Sequence, residues 1–353
     1  MPTQFYQLSV ATIRYETNDT VRIGFKIPVA QKEIFRFDPG QYLTISLTIE
    51  GKTVRRAYSI CSATHESIIS FLVKRVDKGL VSNYLNDHIQ IGDKINVLPP
   101  NGHFKMQIQT EKKNKYVFLG AGSGITPLMS MIESVLESEA HSNCHLIYGS
   151  RDEPNIIFKS KLDRLQLVYQ DRFNVHYVLS QAKSTWLGLR GRIDETLLKN
   201  CLPENKASVN AYFICGPNAM IESTYDNVLK LGVGKEKVHR EYFSAPLPKV
   251  DENAVVLKRE NIAAKVKIIL EQKEYTLRID DDTDIVHALL QKNIEPPYSC
   301  LSGTCSTCKA KLLKGEVQMD VSIGIEDDEK AAGYILTCQA HPLTEDILVD
   351  FDQ

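Results

Sequence analysis

The feature that most constrains this chain is its cysteine spacing in the segment "SCLSGTCSTCKAK" (299–311). Cys300, Cys305 and Cys308 lie within nine residues, and Cys338 follows after 29 more. Structural zinc sites place their ligands in two close pairs, whereas three cysteines plus a distant fourth, beginning C-x4-C-x2-C, is the plant-type spacing of a [2Fe–2S] cluster. The spacing therefore predicts a low-potential, one-electron [2Fe–2S] cluster, with zinc or disulfides as the alternatives.

Length and composition set outer limits on the fold. At 353 residues, with ordinary contents of charged and aromatic residues, the chain is expected to form two or three globular domains. It has no run of about 18 apolar residues and no recognisable secretory leader, so we expect a cytoplasmic protein with no membrane span. The sequence has no basic stripe with interleaved aromatic residues, so we expect no nucleic-acid partner.

Charge is divided unevenly along the chain. Residues 263–353 carry nine Lys and Arg against 17 Asp and Glu, a net charge of −8, whereas the remainder carries 33 against 27, a net charge of +6. This division predicts that the C-terminal part is a separate unit with its own electrostatic role. A solvated acidic surface without a specific role is the alternative.

Three sequence patterns predict three domains. Residues 1–108 contain short, turn-punctuated runs such as "QYLTISLTIEGK", in which apolar and polar residues alternate, so we expect an antiparallel β-barrel. Residues 111–245 alternate strand-like and helical runs, which predicts an α/β domain with a parallel sheet. Residues 246–262 are charged, contain Pro and lack periodicity, which is typical of a linker. Residues 263–353 add strands, the cysteine loop and a helix with Thr283 as its predicted N-cap.

Two turns in the central domain follow strands and suit a nucleotide. The segment "GAGSGITP" places Gly120, Gly122 and Gly124 between a strand and a helix, where backbone amides can bind a pyrophosphate. It is not the G-x-G-x-x-G pattern, and glycines in a tight turn can also have a purely steric role. The "CGP" turn (215–217) ends another strand at the same sheet edge, where ligands of open α/β sheets bind.

One barrel strand contains the residues of a possible cofactor site. The segment "RRAYSICS" places Arg56, Tyr58 and Ser59 close together, next to Arg55. An arginine near an aromatic ring and a hydroxyl group can bind a phosphorylated aromatic cofactor. A tyrosine on the sheet surface beside a solvated arginine is the alternative.

Together these segments resemble the ferredoxin–NADP reductase superfamily, and the resemblance covers essentially the whole chain with the motifs in the family's order. It implies a multidomain α+β protein with an N-terminal antiparallel flavin-binding β-barrel, a central parallel-sheet nucleotide domain and a C-terminal plant-type ferredoxin domain of β-grasp fold. The implied cofactors are FAD, a [2Fe–2S] cluster and NADPH or NADH. The implied activity is hydride transfer to the flavin, followed by single-electron transfer to the cluster.

The resemblance also implies roles for residues of the flavin site. Arg56 would contact the flavin phosphate, Tyr58 would pack against the isoalloxazine ring, and Ser59 would lie near its reactive nitrogen. The segments "VKRVDKGLVSNYL", "GAGSGITP" and "REYFSAP" resemble the elements that complete this site. The further FAD residues implied in them are Lys74, Gly79, Ser82, Thr126 and Phe243.

A second group of residues is implied for the nicotinamide nucleotide. Ser59, Cys215 and Glu241 would position the hydride transfer. Arg151 could bind a 2′-phosphate, which favours NADPH but leaves NADH open. The residues implied to bind the nucleotide are Gly120, Gly122, Gly124, Ser150, Arg151, Cys215, Gly216 and Pro217.

Within the superfamily, "GLVSNYL" resembles the FAD-binding rather than the FMN-binding kind. The segments "IYGSR", "GRID" and "AGYILTCQAHPLT" are similar to the reductase subunits of phenylacetyl-CoA epoxidases, although that group often has Asn where this chain has Ser150. The implied partner is a multicomponent diiron epoxidase of phenylacetate catabolism. Reductases for steroid, alkane or aromatic oxygenases or for a hybrid-cluster protein are alternatives, as is a redox-sensing binding protein. We expect the acidic ferredoxin domain to dock alternately on the basic reductase body and on a basic patch of the oxygenase.

Overall fold

The computed structural model describes residues 4–245, 263–280 and 282–353, which form three large sheets in chain order. The predicted linker, 246–262, lies outside the described residues. The domain limits given above stay predictions, because the sheets locate elements within the domains rather than their ends. No helix in the described part of the chain is both long and apolar enough to span a membrane.

The first sheet is antiparallel and forms the predicted barrel. Its strands lie in the order β4-β3-β6-β1-β2-β5, and a bridge between Ile60 and Phe71 joins the two edges. Alternation along β3 directs Leu43 and Ile45 into a core that also contains the fully buried Phe25. The elements are β1 (Tyr6–Thr17), β2 (Thr20–Lys26), β3 (Tyr42–Ile49), β4 (Lys52–Ser59), β5 (Ile68–Lys74), α1 (Leu80–Asp87) and β6 (Lys94–Asn101).

The central sheet has six strands that all pair in parallel, in the order β10-β9-β8-β7-β11-β12. This is the predicted α/β layer, and its strands end at one common edge. The elements are β7 (Lys115–Ala121), α2 (Ile125–Ser138), β8 (Asn143–Ser150), α3 (Lys159–Val168), β9 (Phe173–Leu179), β10 (Leu189–Arg190), α4 (Glu195–Cys201), β11 (Ala211–Cys215), α5 (Asn218–Lys230) and β12 (Val238–Glu241).

The third region is a mixed sheet in the order β14-β13-β19-β15-β17, with helix α6 packed on it and a small β16-β18 pair beside it. This arrangement confirms the predicted β-grasp fold. The elements are β13 (Ala264–Leu270), β14 (Lys273–Ile279), α6 (Ile285–Gln291), β15 (Lys309–Lys314), β16 (Val317–Met319), α7 (Asp327–Ala331), β17 (Tyr334–Leu336), β18 (Ala340–Pro342) and β19 (Asp346–Asp350).

One predicted helix start is wrong. The N-cap of α6 is Asp284 rather than Thr283, because the helix begins at Ile285. The Asp284 carboxylate accepts a hydrogen bond from the backbone N–H of His287 at 3.0 Å. A carboxylate at this position satisfies a backbone donor that the first helical turn leaves free.

Candidate functional site

The four predicted ligand cysteines lie together in the third domain. Cys305, Cys308 and Cys338 are buried, Cys300 is half-buried, and all four are free thiols. Cys300 contacts Cys305 and Cys338, and Cys338 also contacts Cys308. These interactions lower the pKa of the Cys300 thiol and raise the pKa of Cys305 and Cys338, because neighbouring thiols share protons. Four converging thiols, three from one loop, fit the ligand set of a [2Fe–2S] cluster.

The backbone of the cysteine loop is shaped to surround such a group. Leu301 and Gly303 have positive φ angles of 55° and 69°, which turn the chain sharply between the first two cysteines. The Ser302 backbone N–H donates to the Cys300 sulfur at 3.4 Å. Hydrogen bonds of this kind stabilise thiolate charge and tune the potential of a bound cluster.

Strand β4 carries the predicted flavin residues. The half-buried Tyr58 ring packs on Phe71 with 5.3 Å between ring centroids, so the barrel core supports one side of the ring. Arg56 is exposed on the same strand face as Tyr58, because side chains two residues apart on a strand share a face. The exposed guanidinium of Arg56 fits a phosphate of FAD, and the supported ring of Tyr58 fits its flat ring system.

The turn between β5 and α1 contains the second predicted flavin element. The Ser82 hydroxyl accepts from the Val76 N–H at 3.1 Å and donates to the Gly79 carbonyl at 3.3 Å, which fixes the start of α1. The N-terminus of α1 offers backbone donors suited to a pyrophosphate. The Lys74 ammonium lies 3.5 Å from the Asp19 carboxylate, so a phosphate there would compete with Asp19 for this charge.

Ser59, Cys215 and Glu241 meet although they come from three different segments. The Ser59 hydroxyl donates to the Glu241 carboxylate at 3.2 Å, and the Cys215 thiol lies 3.9 Å from the same oxygen. The parallel register of β11 and β12 places Cys215 directly opposite Glu241, whereas Ser59 ends barrel strand β4. We call these three residues the hydride site, and they join the barrel to the nucleotide domain.

Burial determines the protonation of the hydride site. It raises the pKa of Glu241 to about 8, although the hydrogen bond from Ser59 acts in the opposite direction. Burial and the neighbouring carboxylate also hold the pKa of Cys215 well above its usual value. Both groups are therefore mainly neutral at pH 7, and Cys215 is a packing group and weak donor rather than a nucleophile.

The glycine loop packs directly on the "CGP" turn. A Cβ on Gly124 would lie 2.2 Å from the carbonyl oxygen of Cys215, so only glycine permits this approach. At Gly122, with φ of 56°, a Cβ would meet no atom within 4 Å, which leaves open space beside the loop. The Tyr148 hydroxyl donates to the Gly122 carbonyl at 2.9 Å and holds the loop from the side of β8. This open, amide-lined turn fits a nucleotide pyrophosphate.

The other predicted nucleotide residues lie along the same sheet edge. Ser150 ends β8 and donates to the Asn155 carbonyl at 2.9 Å, and Arg151, the next residue, is exposed. Pro217 directly precedes α5. A cleft of about 1250 Å³ opens beside this edge between barrel and nucleotide domain. Its lining includes Asp152, Leu179, Lys183 and Trp186.

Two predicted flavin residues contribute in other ways. Thr126 is buried and its hydroxyl donates to the Ser123 carbonyl at 2.6 Å, so it braces the glycine loop. Phe243 is 44% exposed and follows Glu241 by two residues, as a residue that covers a bound ring would. The roles of both residues toward FAD remain predictions.

Sequence reasoning missed two barrel residues that touch the ferredoxin domain. The Tyr42 hydroxyl lies 2.8 Å from the Thr307 hydroxyl, and the Arg55 guanidinium lies 2.6 Å from the Glu295 carboxylate. Strand alternation is the sequence pattern that could have revealed Arg55, because it places Arg55 on the opposite face of β4 from Arg56. A cavity of about 260 Å³ lies where all three domains meet, lined by residues that include Tyr42, His103, His239, Glu241, Cys305 and Glu326.

Comparison with known protein families accounts for each domain in turn. Residues 7–106 match the oxidoreductase FAD-binding domain, residues 118–226 match the oxidoreductase NAD-binding domain, and residues 268–343 match the 2Fe-2S iron-sulfur cluster binding domain. The three matches follow the order predicted from the motifs, and they confirm FAD, a nicotinamide nucleotide and a [2Fe–2S] cluster as the cofactors.

Whole-length relatives are reductase components of oxygenases. The chain is 37% identical to a subunit of the 1,2-phenylacetyl-CoA epoxidase from Escherichia coli (strain K12), covering 99% of this chain and 98% of the relative. It is 32% identical to the ferredoxin reductase component of 3-ketosteroid-9-alpha-monooxygenase from Rhodococcus rhodochrous, covering 98% and 96%. The solved structure of phthalate dioxygenase reductase has the same fold, with a TM-score of 0.62 at 23% identity over 98% of both chains.

Proposed function

Because this chain belongs to the family of oxygenase reductases that join FAD-, NAD- and [2Fe–2S]-binding domains, we propose that it supplies electrons from NAD(P)H to a phenylacetyl-CoA epoxidase. The observation that carries this proposal is the whole-length similarity to a component of that enzyme. The electron acceptor is proposed to be the diiron oxygenase component of the same complex. We place the reaction in the cytoplasm, a location supported by the four cysteines outside the cysteine loop and Cys338, none of which is paired in a disulfide.

The cofactors supply the redox chemistry, and the chain supplies binding and position. NAD(P)H gives up a hydride, which carries two electrons, whereas bound FAD makes those electrons available singly and the bound cluster carries one at a time. In the overall balance one NAD(P)H yields NAD(P)⁺, one proton and two electrons for the acceptor. The chain must therefore hold a flavin between the nucleotide site and the cluster.

The barrel is proposed to hold FAD through β4 and the start of α1. Arg56 provides an exposed cation for a phosphate, and Tyr58 provides a ring that the core fixes in place. The turn that Ser82 organises around Gly79 presents backbone donors to the pyrophosphate. Lys74 adds positive charge near this turn once it leaves Asp19.

The hydride site is proposed to orient the reacting rings and to manage one proton. Ser59 donates a hydrogen bond to Glu241, so the hydroxyl has a fixed direction toward the domain junction. With a pKa of about 8, the Glu241 carboxyl can hold or release a proton near neutral pH. Cys215 is fully buried and fills the floor of the site.

The nucleotide is proposed to lie along the carboxyl edge of the central sheet, with its pyrophosphate on the glycine loop. Gly122 leaves the open space, and Gly124 lets the loop pack on Cys215. Arg151 is the exposed cation beside this edge, and we assign it to the 2′-phosphate of NADPH. This assignment makes NADPH the preferred donor over NADH.

The ferredoxin domain is proposed to carry the electrons to the partner. Cys300, Cys305, Cys308 and Cys338 bind the cluster, and Cys300 lies closest to solvent. The net charge of −8 in residues 263–353 favours a basic docking patch on the oxygenase.

The test is an anaerobic titration followed by reconstitution. We would add NADPH or NADH, follow the flavin and cluster absorbance, and record an EPR spectrum of the end point. Bleaching of both centres with a rhombic reduced-cluster signal is expected, faster with NADPH. Absence of flavin, or a cluster that stays oxidised, would contradict the electron-transfer function itself.

The partner is tested by adding purified oxygenase components to the reduced protein. We expect NADPH-dependent product from the phenylacetyl-CoA epoxidase oxygenase, and little from the oxygenase of a 3-ketosteroid 9-alpha-monooxygenase. The steroid enzyme is the appropriate comparison because its reductase is also a whole-length relative. Equal coupling to both, or coupling to the steroid enzyme alone, would remove the assignment to phenylacetyl-CoA while leaving the reductase function intact.

A further inference from the structure

The hairpin of β3 and β4 is buried on both faces, and only one of them is accounted for by the barrel core. The inner face carries Leu43 and Ile45 of that core. By alternation and antiparallel register, Tyr42, Arg55 and Ser59 lie on the outer face, where polar side chains are expected to meet water. Each of these three is nevertheless only 6% exposed, because another part of the chain covers them.

Arg55 is covered by the segment that leads into the first ligand cysteine. Its guanidinium donates to the Glu295 carboxylate at 2.6 Å and to the Pro296 carbonyl at 3.2 Å. The same group lies 4.3 Å from the centroid of the Tyr298 ring and 4.9 Å from that of Phe5. Planar hydrogen bonding and ring stacking together are contacts that arginine makes and lysine cannot reproduce. Residues 295–298 are thereby fixed to the barrel two residues before Cys300.

Tyr42 contacts the other end of the cysteine loop. Its hydroxyl lies 2.8 Å from that of Thr307, between Cys305 and Cys308, and the contact is buried. Thr307 is in turn 3.5 Å from the Cys305 sulfur. On the barrel side, the register of β3 and β4 pairs Tyr42 directly with Ser59 of the hydride site. Tyr42 therefore links the hydride site, through Ser59, to the cysteine loop, through Thr307.

We propose that Tyr42 and Arg55 are positioning residues that hold the two ends of the cysteine loop on the outer face of the β3–β4 hairpin, so that electrons reach the cluster from its Cys305 side. The proposal rests on the proposed electron-transfer function. The hairpin binds flavin through Arg56 and Tyr58 and the ferredoxin domain through Tyr42 and Arg55. The half-exposed Cys300 side is left open, so the cluster can pass one electron to an acceptor without the loop leaving the barrel.

The position of the loop is tested first by a readout that needs no turnover. Hydrogen exchange measured by mass spectrometry should accelerate in residues 295–309 of Arg55→Met and Arg55→Lys, with a smaller increase in Tyr42→Phe. Arg36→Met is the matched control, because Arg36 is a highly exposed arginine of the barrel domain that pairs with the equally exposed Glu33. Unchanged exchange in both Arg55 variants would overturn the proposed role of Arg55.

The kinetic test separates the two electron-transfer steps by stopped flow. With NADPH in excess, we expect flavin reduction within about twofold of wild type, whereas cluster reduction slows on the order of tenfold in Arg55→Met and less in Tyr42→Phe. Flavin content and the EPR signal of the chemically reduced cluster should match the wild type. Tyr42→Phe loses a single hydroxyl, so it tests the idea even if Arg55→Met fails to fold.

The outcomes distinguish this proposal from the function on which it rests. If the wild-type cluster is not reduced by NADPH at all, the proposed function fails. If the wild type is reduced normally and Arg55→Lys, Arg55→Met and Tyr42→Phe all reduce the cluster at the wild-type rate, the positioning role is wrong and the function stands.

Discussion

The hydride site and the cysteine loop are proposed to handle the same electrons, but the chain builds them in opposite ways. Three of the four proposed cluster ligands lie within nine consecutive residues, and their spacing alone predicts the chemistry. Cys215 and Glu241 lie 26 residues apart on paired strands of one sheet, whereas Ser59 is more than 150 residues from Cys215 and meets them only because two domains pack together. The cysteine loop therefore forms from residues close in sequence, whereas the hydride site forms only when the barrel and the nucleotide domain pack together. Changes in one should leave the other measurable.

The largest expected effect comes from removing a cluster ligand. Cys305→Ala should abolish the rhombic EPR signal and lower the iron content, because the remaining three thiolates cannot complete the ligand set. Flavin reduction by NADPH should continue, since the hydride site shares no residue with the loop. Cys201→Ala, at a half-buried cysteine outside the loop, is the control and should keep the cluster. An intact cluster in Cys305→Ala would refute the ligand assignment.

The next effect concerns the nucleotide end of the hydride path. Arg151→Ala should raise the KM for NADPH by roughly tenfold to a hundredfold, the range for loss of a charge-assisted hydrogen bond, and leave that for NADH nearly unchanged. Steady-state kinetics with an artificial acceptor measures both constants. Arg36→Ala, at a highly exposed arginine of the barrel domain, is the control. An equal increase in KM for both nucleotides would mean that Arg151 does not bind the 2′-phosphate.

Tyr58→Ala should weaken FAD binding on the order of tenfold, because an aromatic contact contributes about 1 kcal/mol beyond area burial. Flavin released on dilution, followed by fluorescence, gives the dissociation constant. Tyr58→Phe keeps the ring and should bind nearly as well as wild type. The cluster signal should persist in both variants. Full flavin retention in Tyr58→Ala would show that the ring does not support the cofactor.

Glu241 gives the hydride site a pH dependence. Its pKa rises from 4.5 to about 8 on folding, so its contribution to stability is complete below pH 4.5 and is lost as pH rises through 8. The temperature at which heating releases the flavin should fall between about pH 6 and pH 9. This fall should be roughly 2–4 °C larger in the wild type than in Glu241→Gln. Parallel pH profiles for the two proteins would show that Glu241 is not a buried, proton-binding group.

The smallest expected effect is that of salt on the exit of electrons. Raising ionic strength from about 50 to about 300 mM should slow electron transfer to the oxygenase a few-fold, because surface charges are screened. The internal step from flavin to cluster crosses buried contacts such as Tyr42–Thr307 and should change little. If the rate of electron transfer to the oxygenase did not change with ionic strength, docking through the acidic surface of residues 263–353 would be ruled out.

The same contrast explains what could be predicted from sequence. Strand alternation, the glycine loop and the cysteine spacing are local patterns, and they were sufficient for three domains in the right order. The placement of Glu241 beside Ser59 came from family resemblance, since no periodicity links a barrel strand to β12. The roles of Tyr42 and Arg55 were missed because their contacts cross a domain boundary. The N-cap of α6 was predicted one residue too early, at Thr283, because helix ends are uncertain by about one or two residues from sequence.

The order of strands in the ferredoxin domain has a consequence for how the protein is made. Strand β19 follows the other four strands of its sheet in the chain, yet it lies in the middle of that sheet, between β13 and β15. A nascent chain that ends before residue 346 has synthesised all four cysteines but lacks the strand that joins the two halves of the sheet. We therefore expect cluster assembly to follow the synthesis of β19, because before that point the four cysteines belong to a sheet whose two halves are not yet joined.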